Sequence, residues 1–335
     1  MELIVTLACN AKCDFCSNKE LTVKENTIGI DKYKEIIDQC AKMDVPIVSI
    51  LGGEPLLYKR LNEQLSYINS KKIMASITTN GFFLTKEKVK ELASNGLRFV
   101  GISIMSADEK EHDRIMGLLG CYRRIMEAQE FCRDNEVQYS WCTVVTHNSF
   151  NDGSFDRLVN LALKRDVQLN INPFTPTSHA LGKGYDLLRL EDVEKLNELC
   201  KTSTLLSSHL TNNYFGFGCP AGNAYLIIHT NVDILPCYYF PVSLGNVHTV
   251  SLRDAWLNGC RSPLFNNKHK MCWAGTSREF YCEYLKPIFE GGRAPIPIEE
   301  HPKYDHQHNF MTDLKCQIVK DAIEYIYDEK KEVNY

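Results

Sequence analysis

The stretch ELIVTLACNAKCDFCSN (residues 2–18) runs from a short β-type segment straight into three cysteines, Cys9, Cys13 and Cys16. The apolar part, ELIVTL, lacks the charged lead and the long apolar core of a signal peptide. It reads instead as a strand whose C-terminal end opens into a cysteine loop. The spacing is C-x3-C-x2-C. Zinc sites usually supply four ligands in two pairs, and no fourth Cys or His lies nearby in the sequence. Three thiolates on an iron–sulfur cube would leave one iron without a protein ligand, free to bind another molecule, and Phe15 could shield such a cluster from water. With cysteine at 14 of 335 positions, chance supplies this spacing only about 0.02 times. A structural zinc knuckle remains the plain alternative.

Further β-type runs follow the first: PIVSIL (46–51), IMASITT (73–79), RFVGISIM (98–105), VQYSWCTVVT (137–146) and VQLNINPF (167–174). Between them the apolar residues recur at intervals of three and four, the signature of helices with one buried face. Six strands joined by helical crossovers predict a parallel sheet, either doubly wound or closed into a full or partial barrel. In both cases ligands bind beyond the C-terminal strand ends. The cysteines, Gly52-Gly53-Glu54-Pro55 and Thr79-Asn80-Gly81 all fall at such ends.

The alternation stops near residue 180. A helix is expected over 190–203, a hairpin over 224–240, a short helix at SLRDAWLN, an irregular segment over 290–309 and a closing helix over about 311–329. His301, His306 and His308 lie in or beside that irregular segment and read as surface residues.

Composition is that of a folded globular chain, with 44% hydrophobic and 24% charged residues. A net charge of -4 gives no basic field for nucleic acid. No apolar run is long enough for a membrane span, and a cytoplasmic location is expected. Fourteen cysteines in a reducing compartment point to metal or catalysis rather than disulfides. Cys40, Cys121, Cys132 and Cys200 sit singly in helical patterns and read as small core residues.

Taken together, these motifs resemble the radical SAM enzymes. The family signature is C-x3-C-x2-C after the first strand of a partial (β/α)6 barrel, matched here by Cys9, Cys13 and Cys16. Gly52-Gly53-Glu54-Pro55 resembles the family's GGEP motif. Thr79-Asn80-Gly81 resembles a common family turn, and residues 111–117 (EHDRIMG) resemble its H-D-R-x-x-G segment. The resemblance implies a [4Fe–4S] cluster on the three cysteines whose open iron chelates S-adenosylmethionine. It also implies cofactor contacts from Gly52, Gly53, Glu54, Pro55, Asn80, Ser103 and Arg114, with the glycines allowing close approach of the ligand. Many relatives have Ser-x-Asp-Gly where this chain has Ser103-Ile104-Met105-Ser106. One electron would cleave the sulfonium and release a 5′-deoxyadenosyl radical, which abstracts hydrogen from substrate. An electron donor such as flavodoxin or ferredoxin is implied as a partner.

Three later features resemble the SPASM/twitch extension of that family: Cys219-Pro220-Ala221-Gly222, Leu235-Pro236-Cys237 and Leu244-Gly245-Asn246-Val247. Gly275 stands where a further cysteine is usual, and Val232 where a glycine is usual. One auxiliary [4Fe–4S] cluster on Cys219, Cys237, Cys272 and Cys282 is therefore expected, with Cys260 as a substitute ligand. Zinc on the same thiolates is the alternative, since a tetrahedral S4 set suits either. Cys142, Cys260 and Cys316 are left over. Any of them could return hydrogen to a substrate radical, and a core thiol is the plain reading of each.

The expected organisation is a partial barrel over 1–185, a linking helix over 186–213, an auxiliary-cluster domain over 214–290 and a terminal segment with a helix over 291–335. The family resemblance implies maturation of a ribosomally made peptide, by crosslinking or epimerisation, with a possible separate peptide-recognition protein. Dehydrogenation or epimerisation of a small molecule, such as an aminoglycoside sugar, is the alternative. A non-catalytic iron–sulfur or zinc protein is a second alternative.

Overall fold

Helices with one apolar stripe and strands of β-branched residues can bury those surfaces only against each other, and that pairing builds the molecule. The computed structural model describes residues 1–18, 23–24, 27–176, 186–209, 219–266, 271–307 and 310–311. Six strands follow the expected order: β1 (Glu2–Ile4), β2 (Ile47–Leu51), β3 (Met74–Thr79), β4 (Leu97–Ser103), β5 (Gln138–Val145) and β6 (Leu169–Pro173). Helices α1 (Ile30–Lys42), α2 (Leu61–Ser70), α3 (Lys86–Ser94), α4 (Glu109–Met116), α5 (Cys121–Asp134), α6 (His147–Asn151) and α7 (Ser154–Lys164) connect them. Every neighbouring pair from β1 to β6 is parallel, as helical crossovers require. The result is an α/β partial barrel.

The outer side of the sheet is apolar. Val48, Ile50, Ile77, Val100 and Ile102 are fully buried, as are Ile36, Ile37, Leu65, Leu92 and Ile125 on the helices. Each such side chain contributes about 1.5–3 kcal/mol of burial free energy. The inner side differs. Ser103, Cys142, Asn170 and the later Ser207 are matched in register across neighbouring strands. Register-matched residues share a face, so they form one polar row along the inside.

The sheet extends further than the sequence suggests. α8 (Leu190–Lys201) leads to a seventh strand, β7 (Leu206–Ser208), parallel to β6. The segment read as a linker thus contains one more crossover helix. At the other edge, the expected hairpin forms as β8 (Ile227–Ile228) and β9 (Ile234–Leu235). β8 pairs parallel to β1, through Glu2 with Ile227 and Leu3 with Ile228. The hairpin turn holds Val232 at φ 59°, a left-handed conformation that a β-branched residue rarely adopts. α9 (Leu252–Arg261) follows and docks on α1, where the Leu252 N–H donates to Gln39 Oε1 at 2.8 Å.

One expectation is corrected. His301 is buried, not on the surface: its ring stacks on Tyr284 at 5.6 Å and its Nε2 lies 2.9 Å from the Tyr284 carbonyl oxygen. His306 is exposed, as expected. The expected closing helix, His308 and Cys316 lie outside the described residues.

Candidate active site

The loop bearing Cys9, Cys13 and Cys16 is held from two sides. On one, the Gly53 N–H donates to the Thr6 carbonyl at 2.7 Å and the Glu54 N–H to the Ala8 carbonyl at 2.8 Å. A Cβ on Gly52 would fall 2.6 Å from the Thr6 oxygen, and one on Gly53 would fall 2.5 Å from the Ala8 oxygen. The two glycines therefore admit the cysteine loop itself. On the other side, the Lys12 and Asp14 N–H groups donate to the carbonyls of Met116 and Ile115, at 2.9 and 3.1 Å. Gly117 ends α4 in the left-handed region at φ 57°, and a Cβ there would meet Lys12 at 2.9 Å. The segment around residues 111–117 is thus a scaffold for the loop. His112 Nδ1 accepts from the Met105 N–H, and the Asp113 carboxylate accepts from the Gly120 and Tyr122 N–H groups.

A cavity of about 660 Å³ opens at the strand ends. Cys9, Cys13, Cys16, Phe15, Gly52, Gly53, Asn80, Ser103 and Cys142 all line it. The other residues expected at the cofactor are Glu54, Pro55 and Arg114. Glu54 is fully buried, and its carboxylate accepts from the Thr79 hydroxyl at 2.6 Å, the Asn80 N–H at 2.8 Å and the Leu56 N–H at 3.0 Å. It ties the end of β2 to the end of β3. Pro55 is buried in the short turn behind it. Arg114 is exposed and pairs with Glu111 at 2.8 Å and Asp14 at 3.3 Å. Asn80 adds a direct link to the loop, with its Nδ2 2.8 Å from Asn10 Oδ1.

One C-terminal cysteine reaches the same space. Cys237 lines the cavity, and Cys219 and Cys272 lie close enough to raise its thiol pKa well above the ordinary value, after the larger effect of burial. Cys272 is pushed up to about 12 by burial, with Cys219 adding. Burial likewise pushes Cys13 up to about 12, with Cys16 and Cys9 adding. Two groups of thiols are thus each packed where charge is unfavourable without a cation, which suits a metal-bound thiolate set. A tetrahedral zinc with sulfur at about 2.3 Å would hold its thiolates about 3.8 Å apart. Among the described residues, no three cysteine sulfurs lie within 4.8 Å of one another, and an all-sulfur donor set suits iron–sulfur or zinc. Cys282 is exposed on the turn Tyr281–Leu285, and Cys260 sits on α9.

The comparisons agree with this layout. Residues 3–162 match the Radical SAM superfamily and residues 219–277 match an iron–sulfur cluster-binding (SPASM) domain. The chain belongs to the radical SAM superfamily. The SPASM match spans Cys219, Cys237, Cys260 and Cys272 and stops short of Cys282. Among curated relatives, the AdoMet-dependent heme synthase of Nitratidesulfovibrio vulgaris is 23% identical over 313 residues, covering 84% of each chain. A GTP 3′,8-cyclase of Clostridium perfringens is 28% identical over 216 residues, covering 63% of this chain and 65% of the other. Streptococcus suis SuiB, solved bound to the precursor peptide SuiA, superposes with a TM-score of 0.64 at 21% identity, over 79% of this chain and 65% of SuiB. This chain therefore spans less than two thirds of SuiB. The structure of anSMEcpe with bound AdoMet superposes at 0.63 and 17% identity, over 98% and 97% of the two chains. At these identities the solved structures show the shared fold.

Sequence reading missed Glu2, His209, Tyr225, Tyr238 and Tyr239 as cavity residues. Tyr238 and Tyr239 directly follow Cys237, so the Pro-Cys match had already marked their place. His209 had no such signal.

Proposed function

We propose that this radical SAM enzyme acts on a small polar molecule, with the cysteines of the two domains working on one substrate. The observation that carries the reading is the shared cavity: Cys9, Cys13 and Cys16 face it from the barrel and Cys237 from the SPASM domain. Its volume of about 660 Å³ falls in the range of small-molecule sites, and the cofactor would take up part of it. Asn170, Asn172, Thr143 and Ser103 offer hydrogen bonds along its wall. The names of the curated relatives, a heme synthase and a GTP cyclase, also favour a small molecule over a peptide.

With a cluster on Cys9, Cys13 and Cys16 and S-adenosylmethionine bound, reductive cleavage would supply a 5′-deoxyadenosyl radical. The protein's own part is positional. Gly52 and Gly53 seat the cysteine loop, Glu54 fixes the ends of β2 and β3, and Asn80 and Ser103 present polar groups to the cavity. The auxiliary cluster is assigned to Cys219, Cys237 and Cys272, with Cys282 or Cys260 as the fourth thiol.

The test uses the reconstituted, dithionite-reduced chain with S-adenosylmethionine and two probes from a cell extract. One is the filtrate that passes a membrane retaining peptides and proteins; the other is the retained peptide pool. The reading expects the filtrate to raise 5′-deoxyadenosine formation above the substrate-free rate. Stimulation by the peptide pool alone would favour peptide maturation instead.

A further inference from the structure

The floor of the cavity holds a carboxylate that neither cysteine set nor the expected cofactor contacts use. Glu2 opens β1, and strand alternation puts it on the inner face with Ile4, while Leu3 faces the helices. It lies deep in the protein yet is only partly buried, because it faces the cavity. The Tyr225 hydroxyl donates to its Oε2. Among the described residues Oε1 receives no donor, and no Lys or Arg pairs with Glu2. A carboxylate drawn out of bulk water is costly, and at a cavity wall it points to a functional group.

The surroundings narrow its role. Cys237, Tyr238 and Tyr239, on the return from the hairpin, and Cys142 on β5 all sense the Glu2 charge. Glu2 therefore shares with Cys237 the cavity that the barrel cysteines also face. Burial raises its pKa, with the Tyr225 hydrogen bond opposing, and so makes it a stronger base. Burial makes His209, in the same cavity, a weaker one. Cys142 is held as a neutral thiol, its pKa pushed up to about 11. Glu54 has its oxygens occupied by three donors.

We propose that Glu2 accepts the proton in a dehydrogenation of a substrate carbon bearing a hydroxyl or amino group. This deepens the small-molecule reading above and rests on it. In the step, the C–H hydrogen atom goes to the 5′-deoxyadenosyl radical and gives 5′-deoxyadenosine. The O–H or N–H bond breaks, its proton passes to the Glu2 carboxylate, and a C=O or C=N bond forms. The one remaining electron goes to an oxidised iron–sulfur cluster, the acceptor for which Cys219, Cys237 and Cys272 form the site. The substrate loses two hydrogens, one as an atom and one as a proton, and the electron supplied to cleave S-adenosylmethionine is recovered.

The test compares wild type, Glu2→Gln and Glu2→Asp, each reconstituted and supplied with S-adenosylmethionine and the extract filtrate in D2O. The readouts are 5′-deoxyadenosine, the product lacking two hydrogens, and deuterium in recovered starting material. Removing a general base costs on the order of 100-fold. Glu2→Gln is therefore expected to keep 5′-deoxyadenosine formation while its product-to-5′-deoxyadenosine ratio falls by about that factor, with deuterium entering the starting material as the stranded radical is quenched. Glu2→Asp should recover part of the ratio, which a purely structural loss would not show. An unchanged ratio in Glu2→Gln, or a wild type that yields an isomer without hydrogen loss, overturns the role of Glu2 and leaves the small-molecule reading standing. No stimulation of the wild type by the filtrate overturns that reading, and the proposal with it.

Discussion

Gly53 and Ala8 are packed so closely that a single methyl group cannot fit between them: a Cβ on Gly53 would sit 2.5 Å from the Ala8 carbonyl oxygen. The same contact carries the hydrogen bond from the Glu54 N–H to Ala8. Gly53→Ala should therefore displace the cysteine loop. Overpacking of this kind costs about 1–3 kcal/mol, or a fall in Tm of roughly 1–2 °C per kcal/mol in a chain of this size. Anaerobic reconstitution should leave the barrel cysteines short of iron while the C-terminal set fills normally. Full iron loading would show that the contact is dispensable.

Glu54 is an acceptor for three donors and is fully buried. Glu54→Gln turns one acceptor oxygen into an amide donor facing donors. The expected loss is about 1–3 kcal/mol, measured by denaturant unfolding of the apoprotein, where no ligand is present. A carboxylate whose main task is to bind the cofactor would give a variant of unchanged apoprotein stability.

His112 sets an acid limit. Its Nδ1 accepts from Met105, its Nε2 is buried without a partner among the described residues, and burial pushes its pKa down to about 4. The folded state thus binds fewer protons than the unfolded chain once the pH drops below the ordinary histidine value of 6.5. Its stabilising effect is complete above that value and is lost as the pH falls toward 4. Apoprotein Tm should decline over this window, and His112→Asn should flatten the decline. An identical slope in the variant would assign the acid sensitivity elsewhere.

Cys142 faces the cavity while Cys260 lies on α9, which singles it out among the described hydrogen-donor candidates. Its thiol remains protonated at neutral pH, since burial pushes its pKa up to about 11. In D2O, substrate-free cleavage of S-adenosylmethionine should place deuterium in 5′-deoxyadenosine through the exchanged thiol, and Cys142→Ala should reduce that label. Equal labelling in the variant would leave Cys142 as a wall residue.

The six barrel strands were legible because each is an uninterrupted β-type run set between helical periodicities. β7 was not, because Leu206–Ser208 is too short to show alternation. The pairing of β8 with β1 was hidden for another reason: it joins Glu2 to Ile227, and no local pattern reports so distant a partner. The gathering of Cys9, Cys13 and Cys16 at one cavity was legible from their spacing at a strand end. The place of Glu54 was not, since a motif records residue types and leaves open whether a carboxylate meets a ligand or a backbone N–H. His301 misled because polar, proline-rich sequence usually stays in water, whereas here Tyr284 supplies both a stacking face and a hydrogen-bond acceptor.

The account depends on two iron–sulfur sites meeting at one cavity. Its most direct test is iron and sulfide content after anaerobic reconstitution of the Cys9→Ala/Cys13→Ala/Cys16→Ala triple variant. About four irons per chain should remain, as one [4Fe–4S] cluster on the C-terminal thiols, and adding Cys237→Ala should remove them. Near-zero iron in the triple variant would contradict the account and leave a single-cluster enzyme.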